Sequence, residues 1–148
     1  AGTVYVKRVS GGVETQSLVV DNGEYGRMSA LTPFPAITGD LAHLVVRRGA
    51  MATFPSASHL AASAVLETHI EEGSALLQGG EGFTHFTGGA VNVTTGGILG
   101  CVSCAWSQQL QNAVRGCRGH CLSWNLTAGS LSVSHGARLS GVSIGIEA

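Results

Sequence analysis

The chain has 148 residues, of which 44% are hydrophobic and only 11% charged, with a formal net charge of −1 at pH 7. That length suits one domain, residues 1–148, with a core of its own. The near-neutral balance excludes a basic nucleic-acid binder, because Arg47, Arg48, Arg115 and Arg118 are too few and too scattered to make an electrostatic footprint. No apolar run approaches the roughly 18 residues that a membrane-spanning helix needs, and the N-terminal AGTVYVKRVSGG lacks the basic-then-apolar order of a signal peptide.

The first third reads as a β-meander, residues 1–31. Thr3 to Val9 and Val13 to Val20 are joined by Ser10-Gly11-Gly12, which predicts a hairpin. Asp21-Asn22-Gly23 supplies a second turn, after which Glu24 to Leu31 is expected to return as a third strand. Pro33 and Pro35 lack amide donors, so residues 32–40 read as a surface crossover between this meander and a main β body, residues 41–148. Leu41 to Gly49 opens that body as a strand. Strict alternation puts Leu41, His43, Val45 and Arg47 on one face and the more apolar set Ala42, Leu44, Val46 and Arg48 on the other.

Ser56 to Gly73 is the main helix candidate, since it has a serine near its start, internal alanines and a closing glycine. Val65 to Ile70 also alternates with a period of two, and VLETHI, EEGS and ALLQ together could form a hairpin; a strand is favoured for Val65 to Ile70. From Gly79 to Cys104, glycine pairs at 79–80, 88–89 and 96–97 bracket short alternating runs, which predicts consecutive strands and tight turns. At most one short helix is expected, between Ser56 and Gly73 or around Ser107 to Val114.

From Ser56 to Ala148 there is no proline, and the charged residues are Glu67, Glu71, Glu72, Glu81, Arg115, Arg118, Arg138 and Glu147. Uninterrupted amide donors suit a continuous sheet ladder. A surface of Ser, Thr, Asn, Gln and Gly suits contact with another copy, because contact cores are depleted of charge. A loose repeat of Gly, then Ser or Ala, then an apolar residue recurs at Gly49, Gly73, Gly88, Gly129 and Gly136. Its uneven spacing favours an all-β jelly roll or β-sandwich of short strands with Gly-rich turns over the alternative, a short parallel β-helix.

Cys101, Cys104, Cys117 and Cys121 carry the sharpest pattern. Their C-x2-C-x12-C-x3-C spacing approaches that of a structural zinc site, and His120 could replace Cys121 as a ligand. Neither pair has zinc-knuckle flanks, and Val102, Ala105 and Trp106 surround the first with apolar residues, so free buried thiols are favoured over zinc or disulfides. Thr68 to Gly82 faintly resembles the first metal motif of the cupins. Glu71 stands where that motif has its second histidine, and no later segment completes the site, so no ligand set is carried over. His69 and His85 are expected to be hydrogen-bonded strand histidines.

No G-x-S-x-G elbow appears in the right strand-to-helix setting, and no glycine run is followed by the Lys-Ser or Lys-Thr of a phosphate-binding loop. Glu71 and Glu72 read as a solvated turn tip, and Asn92 and Asn125 each head an N-glycosylation sequon. The expectation is a non-enzymatic structural protein without cofactor. It would work as a homo-oligomer, such as a trimer, against a larger protein shell, as a virion surface or capsid-decoration subunit does. The alternative is a jelly-roll type binding module or small metal-dependent enzyme, holding a sugar or metal near His69 and His85.

Overall fold

The computed structural model describes residues 2–23, 31–33, 40–54, 64–78, 85–101, 124–140 and 142–146. These form twelve strands: β1 (Gly2–Ser10), β2 (Val13–Asp21), β3 (Leu31–Pro33), β4 (Leu41–Arg47), β5 (Met51–Phe54), β6 (Ala64–Ile70), β7 (Ala75–Gln78), β8 (His85–Val93), β9 (Ile98–Cys101), β10 (Trp124–Val133), β11 (Arg138–Ser140) and β12 (Val142–Ile146). Among the described residues there is no helix, and the all-β expectation holds. Of the helix candidate Ser56 to Gly73, residues 64–70 are strand β6 and 71–73 a turn, while 56–63 lie outside the described residues, as does the second candidate, 107–114.

The strands sort into a seven-stranded sheet, β1-β2-β4-β6-β8-β10-β12, and a five-stranded sheet, β11-β9-β7-β5-β3. From β2 onward, successive strands fall alternately in one sheet and the other, so the chain winds in coils. Each coil lays its strands parallel to those of the coil before. One coil takes 24 to 26 residues where side chains on neighbouring rungs meet: Thr94 bonds to Ile70, and Arg47 to Asp21. Only β1 and β2 pair antiparallel among the described strands, in the hairpin that Gly11 and Gly12 predict; both glycines have positive φ. A jelly roll requires antiparallel neighbours throughout, and these pairings are not of that kind.

Parallel pairing corrects two local expectations. Of the third strand expected at Glu24 to Leu31, residues 24–30 lie outside the described residues, and Leu31 does not lie beside β2. The second neighbour of β2 is β4, and Leu31 starts β3 in the other sheet. Likewise β6 and β7 are not a hairpin, because β6 pairs with β4 and β8 while β7 pairs with β5 and β9. Among the described strands β3 is an edge of its sheet, a place where Pro33 is tolerated because one side of the backbone needs no donor.

In-register stacking lines like residues into columns. Leu18, Leu44, Thr68, Val91 and Leu131 form one, and Val20, Val46, Ile70, Val93 and Val133 a second. Ala52, Leu76, Leu99 and Leu139 face them from the other sheet. The first four members of each wider column, and Ala52, Leu76 and Leu99, are buried. Their apolar area, at about 25 cal/mol per Å², is the main stabilising term.

The column contains one polar misfit: Thr68 Oγ1 is buried without a hydrogen-bond partner, as is Thr53 Oγ1. Strict alternation fails at the start of β4, where Leu41 and Leu44 are both buried, and β6 repeats this with Val65 and Thr68. Each strand thus carries an extra outward residue, Ala42 and Leu66 respectively. Gly89 falls at the matching place in β8, where an added Cβ would lie 2.4 Å from the Leu66 carbonyl oxygen.

One corner is a stack of tight turns. Ala50 N–H donates to Arg47 O, Ser74 to Glu71, Gly97 to Thr94 and Ala137 to Ser134. The third residue of each is a glycine with positive φ: Gly49, Gly73, Gly96 and Gly136. Successive turns are bonded to one another by Glu71 N–H to Val46 O, Thr94 N–H to Ile70 O and Ser134 N–H to Val93 O. Arg48 is the one described non-glycine residue with positive φ, at 56°.

Candidate functional site

Alternation sends every second side chain of the seven-stranded sheet away from the core, and parallel register aligns those residues too. Ser17, His43, Glu67, Ala90 and Ser130 form one outward row, and Val19, Val45, His69, Asn92 and Ser132 the next. Neighbouring rungs lie about 4.8 Å apart, so side chains of adjacent coils meet without any closeness in sequence. Glu67 is the meeting point: its Oε2 lies 3.3 Å from His43 Nδ1 and 3.5 Å from His69 Nε2. All three side chains are exposed, His69 the least at 38%. Each contact is an ion pair only while its imidazole is protonated.

A shallow concavity of about 410 Å³ adjoins this cluster, lined by Val6, Arg8, Thr15, Ser17, Val19, Ala42 and His43. Its floor is the outward face of β1, β2 and β4. Arg8 pairs across the ladder with Thr15, and Val6 with Ser17.

A second charged group sits at the turn corner. Arg47 Nε donates to Asp21 Oδ2 at 2.7 Å, Arg48 Nε lies 3.6 Å from Asp21 Oδ1, and Gly23 N–H donates to Asp21 Oδ1 at 2.8 Å. The Gly23 backbone bond, with Arg47 and Arg48 beside it, holds the Asp21 carboxyl below the usual carboxylate range against the opposing effect of partial burial. This cluster ties the rung of β2 to that of β4, which is structural work.

His69 is legible in the sequence as a strand residue, and its contact with a neighbouring residue's carboxylate shared across rungs follows only from the register. His85 begins β8, where its backbone pairs with Asn125. Cys101 ends β9, whereas Cys104, Cys117, Cys121, His59 and His120 lie outside the described residues. His135 is an exposed turn residue, and Glu71 and Glu72 form an exposed turn as expected. The cupin-like segment runs through β6, its turn and β7, which belong to different sheets. Thr94 of the first sequon donates its hydroxyl to Ile70 O at 3.1 Å and so helps bind two rungs.

Among the described residues, no group of three or more His, Cys, Asp or Glu side chains is arranged to hold a metal ion, and no helix is long and apolar enough to cross a membrane. Comparison with protein-family models, with curated proteins and with solved structures finds no match to this chain.

Proposed function

We propose that this chain is a non-enzymatic structural protein, a short parallel β-solenoid that assembles with further copies of itself and presents its flat outer face to a partner surface. The carrying observation is the hairpin of β1 and β2. Almost every residue of β1 is exposed, and Val4, Tyr5, Val9 and Val13 leave 45% to 68% of their surface in solvent. Apolar surface gathered on a projecting element supports a covered state in the working assembly. The scarcity of charge along the stack supports the same reading, since desolvating such a surface costs little.

Decoration of a larger protein shell, as on a virion surface, is the role these features fit. A stack of coils offers a rigid face whose length grows with coil number. Light scattering on the purified chain tests the reading: a mass of two or more chains at micromolar concentration is expected, and a monomer over that range would refute it.

A second reading, a binding module on the outer face, is favoured by the convergence of His43 and His69 on Glu67 beside the concavity. Titration calorimetry with a panel of acidic and neutral oligosaccharides would support that module if heat were lost on His43→Ala. No heat with any of them would remove it.

A further inference from the structure

We infer that the self-association surface is the outer edge of β1, and that two copies join there by antiparallel pairing about a two-fold axis at Val6. The inference deepens the proposed assembly and rests on it. Among the described strands β1 is an edge of the larger sheet, so its nine residues offer a row of backbone donors and acceptors on the side away from β2. Bulges, prolines, a covering strand or charged side chains blunt such an edge, and of the charges β1 carries Lys7 and Arg8. β1 has neither proline nor bulge, and it pairs with β2 in unbroken register from Gly2 to Ser10.

The two cations of β1 select the register. Pairing that centres on Lys7 or Arg8, or between them, sets like charges directly opposite one another, which is destabilising. Centring on Val6 lets all nine residues pair. Gly2 then faces Ser10 of the second copy, Thr3 faces Val9, Val4 faces Arg8 and Tyr5 faces Lys7. Each Lys7 ammonium is already held by Glu14 of its own chain at 2.9 Å. The pairing sets that ammonium against the ring of Tyr5 from the second copy, which is an attractive arrangement. It also places Val9 and Tyr5, 68% and 45% exposed in the single chain, beside apolar carbon. The product is one continuous sheet, and the two-fold makes a dimer where sequence alone suggested a trimer.

Position 5 tests the register by charge. Tyr5→Lys and Tyr5→Glu both remove the hydroxyl that donates to Gln16, so both lose that bond within the single chain, and unfolding of each variant measured below its association range accounts for their difference in charge. In the dimer the first puts two like-charge pairs across the axis and the second two opposite-charge pairs. By sedimentation equilibrium, Tyr5→Lys is expected to dissociate at least roughly tenfold more readily than Tyr5→Glu. Thiols placed along the strand give the geometry independently. Under mild oxidation or with a short bismaleimide, Val6→Cys should link two copies through their position-6 thiols, identified by peptide mass. Val9→Cys, roughly 20 Å from the same position of its copy, should not link. An oligomer in which the two Tyr5 variants dissociate equally and Val6→Cys does not link would overturn the β1 interface while leaving self-association standing. A strictly monomeric parent chain would overturn both.

Discussion

Gly89→Ala is the substitution that most sharply probes the stacked coils. A Cβ at that position would lie 2.4 Å from the carbonyl oxygen of Leu66, 3.3 Å from its carbonyl carbon and 3.4 Å from its Cα. All three atoms are backbone, so no rotamer change relieves the clash. The oxygen contact is roughly 1 Å shorter than an ordinary carbon–oxygen contact. β6 and β8 must move apart locally, stretching ladder bonds on either side beyond useful hydrogen-bond length. Overpacking of this kind costs about 1–3 kcal/mol, and one or two weakened ladder bonds add about 1 kcal/mol each, so a loss near 3 kcal/mol is expected. For a chain of this size that lowers the melting temperature by roughly 6–12 °C. Gly73→Ala is the control. Its position has φ +68° but open space around the added methyl, so it should lose only about 1 kcal/mol. Thermal and urea unfolding of both variants decide the matter. Gly89→Ala within about 0.5 kcal/mol of the parent would refute the close approach of the β6 and β8 backbones.

Thr68→Val should raise stability by about 1–2 kcal/mol in urea unfolding, because it removes a buried hydroxyl without a partner from a column of Leu44 and Val91 while keeping its shape. Arg48→Gly should raise the melting temperature slightly, since relief of positive φ, about 1 kcal/mol, exceeds the worth of a half-exposed pair to Asp21. A fall of several degrees would show the pair to be stronger. The lowered Asp21 pKa has a definite sign: its stabilisation is fully present above the ordinary carboxylate range and is lost as pH falls through the lower folded value. Urea midpoints measured from pH 6 downward should therefore decline less steeply in Asp21→Asn than in the parent.

Period-two alternation made most strands legible, because a half-buried strand must alternate whatever its pairing partner. Thr3–Val9, Val13–Val20, Leu41–Arg47 and Val65–Ile70 were all read as strands from it, although burial departs from it at the starts of β4 and β6 and β1 is exposed on both faces, and Gly11-Gly12 marked the one described hairpin correctly. The partners were less legible, since the same alternation serves parallel and antiparallel ladders alike. The repeat itself was visible, but the glycines chosen mixed two roles. Gly49, Gly73 and Gly136 are turn glycines, whereas Gly88 and Gly129 lie within β8 and β10. With Gly23 and Gly96 in their place, the first four turns recur at nearly even intervals, and only the stretch between β9 and β10 lengthens a coil. That insertion hid the period. The His43–Glu67–His69 contact was illegible for a related reason: His43 and Glu67 become neighbours only through the register of β4 on β6.

Small-angle X-ray scattering of the intact chain tests structural self-association most directly, because it reads mass and shape together. Two copies joined at β1 give twice the mass of the chain and fourteen strands in one sheet, a particle roughly 65 Å long in the stacking direction. A particle of single-chain mass with only seven strands, roughly 30 Å along that direction, would contradict the account.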